Sequence, residues 1–279
     1  MNIVLAKSAG FCFGVKRAVN MAFKAAENSE HICSLGPLIH SPQMVKKLEN
    51  EGVRVVNSVT DMSDETVIIR SHGITRSEEE TLIKQQSTVV DATCPFVKKA
   101  QQYAALLGNG GYAVVIVGEQ EHPEVQGIVS YAGDAQTWVV ADVEEAANIR
   151  AQGKIGLVAQ TTQSFENFSE IAVMLLKKSK ELRVFNTICD ATVVRQDEAR
   201  TIAGQVELML VIGGRNSANT TRLAQICAEI QPKTHHIETR SDIDHDWVTG
   251  VSAIGITAGA STPEWIVCEV MEKLHEIAK

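Results

Sequence analysis

Three cysteines stand where a sequence turns into a helix. Cys12 in AGFCFGVKRAV, Cys94 in VDATCPFVKKA and Cys189 in TICDATVVRQ each precede a stretch that reads as a first helical turn. A thiol at a helix N-terminus is favoured as thiolate by the helix dipole and by nearby cations, and the thiolate is the form that binds metal. Lys16, Arg17, Lys98 and Lys99 follow the first two cysteines and are expected to point outward. Three converging thiolates without a fourth suit an iron-sulfur cluster with one iron left open to a substrate. A single buried cysteine is more often a small core residue than a ligand, and Cys33, Cys227 and Cys268, inside apolar segments, are assigned to the core. Repetition separates the other three: CFGVKRA and CPFVKKA share cysteine, valine, a basic residue and alanine at the same offsets, and Cys189 opens a looser third copy.

A second set of residues recurs just past apolar runs. SLGPLIHS, IVGEQEHP and VIGGRNSA carry His40, His122 and Ser217, while IIRSHG, LVAQTTQ and GITAGAST carry His72, Thr161 and Ser261. A lone histidine after a strand is usually a loop or capping residue. Three at matching junctions, with Ser217, Asn219, Thr161 and Ser261, make a ring of hydrogen-bond donors of the kind that holds phosphate. His31, His235, His236, His245 and His275 have no such context and are read as surface. Glu124, two residues beyond His122, has an ordinary role in the helix dipole and a sharper one as proton donor in a closed site; its neighbours favour the second.

These residues need a scaffold that brings distant loops together. Runs such as TVIIRS, YAVVIVG, KIGLVAQ, LMLVIGG and SAIGITAG alternate with helical stretches such as SPQMVKKLENEG and TRLAQICAEI. That pattern indicates an α/β protein with mostly parallel sheets. The internal repeat divides it into three quasi-equivalent αβα lobes, residues 14–95, 96–190 and 191–279, the last completed by residues 1–13, because its own closing strand is missing and MNIVLA can supply it. A pseudo-threefold arrangement would collect the cysteines at a central iron-sulfur cluster. Ligands of such sheets bind beyond the carboxyl ends of the strands, where helices begin. Ser41 before Pro42, His122 before Pro123, and the Ser261-Thr-Pro-Glu264 run carry helix-start chemistry there.

Composition narrows the function. A chain of 279 residues with 44% hydrophobic residues buries a sizeable core, and a formal charge of -8 argues against nucleic acid as a partner. No apolar run approaches the roughly 18 to 20 residues of a membrane span, and the N-terminus has no secretory pattern, so a cytoplasmic protein without membrane association is expected. Six cysteines in that compartment should stay reduced. The absence of CxxC removes short zinc ribbons and thioredoxin-type motifs. Neither GxGxxG nor a Walker A motif is present, so reducing electrons would come from a protein partner and not from bound NAD(P)H.

Taken together, AGFCFGVKRAV, GPLIHSP, RSHG, VDATCP, GEQEHPEVQG, AQTTQS, TICDATVVRQ, GGRNSANTTRL and TAGASTPEWIV closely resemble the 4-hydroxy-3-methylbut-2-enyl diphosphate reductases, in order and over nearly the whole chain. The resemblance implies a 4Fe-4S cluster on Cys12, Cys94 and Cys189, with the fourth iron open to the substrate's allylic oxygen. It implies a diphosphate held by His40, His72, His122, Ser217, Asn219 and Ser261, with Glu124 as proton donor and Thr161 in relay with it near the substrate hydroxyl. The reaction implied is a two-electron, two-proton removal of that hydroxyl as water. One departure stands out: many members carry Ser-Ser-Asn where this chain has Ser217-Ala218-Asn219, so any contact at Ala218 is through the backbone. A quinolinate-synthase-like dehydratase and a non-enzymatic iron-sulfur sensor or electron carrier are the alternatives. The EHPE and TAGAS motifs argue against the first. The second lacks a fourth ligand or a DNA-binding element.

Overall fold

The first strand, β1 (Asn2–Leu5), pairs with no strand near it in sequence. In the computed structural model, which describes residues 1–29, 31–62, 65–151 and 153–277, the chain runs from β1 through α1 (Phe13–Asn28) into β2 (Ile32–Leu35), α2 (Pro42–Asn50), β3 (Val53–Val56), β4 (Thr66–Ile69), α3 (Arg76–Lys84) and β5 (Val89–Asp91). A second series follows: α4 (Pro95–Asn109), β6 (Ala113–Val117), α5 (Pro123–Tyr131), β7 (Thr137–Val140), α6 (Val143–Asn148), β8 (Gly153–Ala159), α7 (Phe165–Lys178) and β9 (Ser179–Val184). The third is α8 (Asp190–Ala203), β10 (Leu208–Ile212), α9 (Ala218–Ile230), β11 (Thr234–Ile237), α10 (His245–Val248), β12 (Ala253–Ala258) and α11 (Glu264–Ile277).

Among the described residues the strands form three four-stranded sheets with the orders β3-β2-β4-β5, β7-β6-β8-β9 and β11-β10-β12-β1, every pairing parallel. Each sheet repeats one topology, in which the first strand of the series lies between the second and the third, and the fourth stands at the edge beyond the third. In the last sheet β1 takes that fourth place, in register from Asn2 opposite Ala253 to Leu5 opposite Ile256. The chain packs as two units, one of residues 1–16, 39–46 and 190–279, the other of 17–38 and 47–189. The first unit holds the sheet completed by β1, and the second holds the other two.

The continuous apolar runs have a simple cause. A parallel strand covered by helices on both faces needs apolar side chains at odd and even positions alike. In β10, Leu208, Leu210 and Ile212 pack with Ile254 and Ile256 of β12, Val248 of α10, and Val270 and Leu274 of α11. Met209 and Val211 point the other way, onto Ala199 and Ile202 of α8 and Leu223 of α9. In the second unit Ala100, Ala104 and Leu107 of α4 and Val125 and Ile128 of α5 cover Val114 and Ile116 of β6. Burying a side chain of leucine or isoleucine size contributes about 1.5–3 kcal/mol, so these two-sided layers supply the main driving force for holding the strand ends in place.

Some placements differ from expectation. Cys33 and Cys227 are fully buried and desolvation pushes both thiols up to about 12, but Cys268 is exposed, because the buried stripe of α11 runs through Ile266, Val267, Val270 and Leu274 and leaves it on the outer side. His31, His245 and His275 lie on the surface, whereas His235 and His236 are partly buried. His235 stacks on Trp247 with ring centroids 3.7 Å apart, and a ring nitrogen of His236 lies 2.9 Å from Gly213 O. Arg17 does not point outward: its guanidinium donates to Thr93 O (3.1 Å) and Asp91 O (3.4 Å), fastening the segment that leads to Cys94. No described helix is long and apolar enough to cross a membrane.

Candidate active site

The polar residues singled out from the sequence fall at the carboxyl ends of the strands in both units. In the first unit the loops after β10 and β12 meet the segment that carries His40. Ser261 donates its hydroxyl to His40 O (3.1 Å), so it ties two segments together. Ser217 is the N-cap of α9 and its Oγ accepts the Thr220 N–H at 3.4 Å. Asn219, in the first turn of that helix, is 5% exposed, and neither its Oδ1 nor its Nδ2 has a hydrogen-bond partner among the described residues. A buried amide left in that state costs about 1–3 kcal/mol, a cost that a polar ligand would offset. Gly259, in TAGAST, is required by close approach, since a Cβ there would lie 2.0 Å from Thr220 Oγ1.

The second unit holds Glu124, the residue expected to act as the acid. Glu124 lies one residue inside α5 and is 2% exposed. Its Oε1 accepts the Thr161 N–H at 2.6 Å and its Oε2 accepts the Thr161 hydroxyl at 3.0 Å. Burial pushes the Glu124 carboxyl up to about 7, against the two Thr161 bonds, which draw it down. The result is a carboxyl that changes protonation near neutral pH, as a general acid requires. His122 is the N-cap of the same helix, and its Nδ1 accepts the Glu124 N–H at 3.2 Å. In the neutral ring that places the proton on Nε2, which makes the outer nitrogen a donor. His72 meets His122 edge to face, with ring centroids 5.5 Å apart.

Residues not expected from the sequence hold this arrangement. Gln160 is fully buried; its Oε1 accepts the Glu119 N–H and its Nε2 donates to Thr162 Oγ1, both at 3.1 Å, which joins the loop leading to His122 with the one carrying Thr161. Thr187 clasps the end of β8, its hydroxyl accepting the Ala159 N–H (2.8 Å) and donating to Ala159 O (2.5 Å). The signal for Gln160 in the sequence is a polar residue directly after an apolar run; Thr187, behind Asn186, offers none.

The metal expectation needs correction. Each cysteine does stand at a helix start. The Cys12 N–H donates to Ala260 O, the Cys94 N–H to Ser71 O and the Cys189 N–H to Thr161 O. However, among the described residues the ligand atoms of Cys12, Cys94 and Cys189 are not grouped closely enough to share one metal ion. The helix-start pattern dictates where a cysteine sits along its own helix and says nothing about the spacing between sulfurs on different helices. The expected clustered triad of Cys12, Cys94 and Cys189, for a 4Fe-4S cluster with an open iron, is therefore not found among the described residues.

A buried acid poised to titrate near neutrality, at the carboxyl ends of parallel strands and beside a helix-capping histidine, defines an enzyme of the α/β class. The LytB protein family model matches residues 3–275. A 4-hydroxy-3-methylbut-2-enyl diphosphate reductase of Syntrophotalea carbinolica is 61% identical over 279 residues, all of both chains, and one of Geobacter sulfurreducens is 56% identical over 276 residues, covering 99% of this chain and 98% of that one. Two solved structures are similar as well. One, of (E)-4-hydroxy-3-methyl-but-2-enyl diphosphate reductase, the terminal enzyme of the non-mevalonate pathway, has 44% identity and a TM-score of 0.70 over 99% of this chain and 100% of that one. The other, the E-1-hydroxy-2-methyl-but-2-enyl-4-diphosphate reductase of Plasmodium falciparum, has 27% identity and a TM-score of 0.93 over 100% of this chain and 88% of that one. The chain belongs to the LytB family, the family of the 4-hydroxy-3-methylbut-2-enyl diphosphate reductases.

Proposed function

We propose that this protein reductively removes the hydroxyl group of 4-hydroxy-3-methylbut-2-enyl diphosphate, the last step of the methylerythritol phosphate route to isoprenoids. Two electrons and two protons enter, the allylic C–O bond breaks, and the oxygen leaves as water. The second proton goes to one or the other end of the allylic fragment, which gives isopentenyl and dimethylallyl diphosphates. Hydroxide is a poor leaving group, so the reaction needs an acid beside that oxygen.

The observation that carries this reading is the Glu124–Thr161 pair. Burial pushes its carboxyl up to about 7, and its hydrogen-bond partner is a hydroxyl that both donates and accepts. In our reading Thr161 passes the Glu124 proton to the departing oxygen. His40, His72, His122, Ser217, Asn219 and Ser261 hold the diphosphate, and the unpartnered Asn219 amide and the Nε2 donor of His122 support that role. Holding the diphosphate fixes the hydroxyl relative to the acid, and orientation of this kind accounts for a large share of many enzymes' rate enhancement.

We infer in addition that the electrons come from a reduced carrier protein of the ferredoxin or flavodoxin type, since the chain has no dinucleotide fingerprint, and that the protein works in the cytoplasm. We also infer that the functional lobes run 14–95, 96–190 and 191–279 with 1–13; the topology repeated in the three sheets supports this division. The test is anaerobic turnover. Protein supplied with a reduced carrier and the hydroxylated diphosphate should release both five-carbon diphosphates, and the absence of either product with a competent donor would overturn the assignment.

A further inference from the structure

Between the loop that carries His72 and the helix that carries His122 and Glu124 lies a polar side chain that belongs to neither motif. Gln101, in the middle of α4, is 6% exposed. Its amide nitrogen donates to Ile74 O across a long 3.5 Å. Two glycines press against the same nitrogen. A Cβ on Gly73, whose φ of +74° already favours glycine, would stand 2.8 Å from Gln101 Nε2 and 3.2 Å from Thr93 Cγ2. A Cβ on Gly127 would stand 3.1 Å from the nitrogen and 3.4 Å from Ile74 O. Gly127 lies inside α5, where alanine is the better helix former, so its presence calls for a reason other than helix stability.

That reason is distance. Gly73 adjoins His72, and Gly127 lies one helical turn beyond Glu124 on the helix capped by His122. The planar amide of Gln101 is thus the spacer between the two segments whose histidines meet at 5.5 Å. His122 cannot adjust independently, because its Nδ1 is engaged by the backbone of its own helix. A shift of α5 against the 72–74 loop is therefore passed directly to the ring pair.

We propose that Gln101 is a positioning residue that sets the separation of His72 and His122 for binding one phosphate group of the substrate. The proposal deepens the diphosphate reading above and rests on it. Gln101 touches no reacting atom and acts through the two imidazoles, so its effect falls mainly on affinity.

Two substitutions disturb the spacer from different sides. Gln101→Met keeps the chain length and removes the amide, whereas Gly127→Ala pushes on the amide while improving the helix. Both should raise KM for the hydroxylated diphosphate and the inhibition constant of inorganic pyrophosphate by roughly tenfold, with kcat within about twofold of wild type. In protein without substrate, both should move the imidazole NMR resonances of His72 and His122 while leaving those of His245 and His275 in place. A purely structural role would lower the melting temperature of Gln101→Met and leave KM and the pyrophosphate constant unchanged in both variants; that result overturns the proposal. If wild-type protein neither turns over the substrate nor is inhibited by pyrophosphate, the diphosphate reading itself fails. The ring resonances then judge Gln101 alone, and unmoved His72 and His122 lines overturn its role.

Discussion

Glu124 and Asn219 occupy similar places, each in the first turn of a helix that follows a parallel strand, and each is almost fully buried. Their hydrogen bonding is opposite. Both carboxylate oxygens of Glu124 are engaged by Thr161, while neither amide atom of Asn219 has a partner among the described residues. A group that moves a proton has to be set before substrate arrives, because its pKa depends on fixed surroundings. A group that only binds can be left incomplete, so that the ligand supplies the missing bonds. Local chemistry therefore separates Glu124, the proposed acid, from Asn219, a proposed binding group, although sequence position makes them look alike.

The contrast is broken most severely at the acid. Glu124→Gln keeps the shape and removes the transferable proton, and should lower kcat by about 10²- to 10⁴-fold while the inhibition constant of inorganic pyrophosphate stays at the wild-type value. A loss of pyrophosphate binding in this variant would mean that Glu124 belongs to the grip. Its stability should change with a definite sign. A carboxyl raised from 4.5 to about 7 on folding leaves the folded state holding more protons than the unfolded one between those values. The unfolding free energy of wild type should therefore be greatest below the lower value and fall as pH rises through the upper one. The drop is bounded at roughly 3 kcal/mol, and denaturant titrations at pH 4.5 and 7.5 should find it missing in Glu124→Gln.

Asn219→Ala should produce the reverse profile: KM raised by roughly tenfold or more, kcat little changed, and stability without ligand held within about 1 kcal/mol of wild type or improved, since a buried unsatisfied amide has been removed. Marked destabilisation without a KM effect would show that the amide serves the fold. The finest readout is the pH profile of Thr161→Val, which lowers kcat by removing the relay hydroxyl and also deletes one of the bonds that draws the Glu124 pKa down. The pH at which the residual kcat falls on the alkaline side should move upward, by about one unit or less, and Thr161→Ser should restore both. A downward move would mean that the hydroxyl disfavours the carboxylate.

Much of the scaffold was legible because its causes are local. LMLVI and GITA are apolar at odd and even positions, as strands covered on both faces have to be, and His122 before Pro123 announced a helix start that the Nδ1 bond to Glu124 N–H fulfils. The stacking of His235 on Trp247 and the exposure of Cys268 were hidden, since the first depends on a partner from another element and the second on which side of α11 faces the sheet. Gln101, Gln160 and Thr187 escaped notice for the same reason: each acts on a loop far away in the chain.

The amino-acid sequence by itself determined the strand and helix periods, the repeated order of elements and the polar residues that end each strand, because pattern, capping and turn chemistry act over a few neighbouring residues. Only the tertiary structure decided that Thr161 engages both oxygens of Glu124, one through its N–H and one through its hydroxyl, and that among the described residues Cys12, Cys94 and Cys189 do not group as ligands of one ion. Such distances and desolvation free energies belong to the packed chain, and no short window of residues contains them.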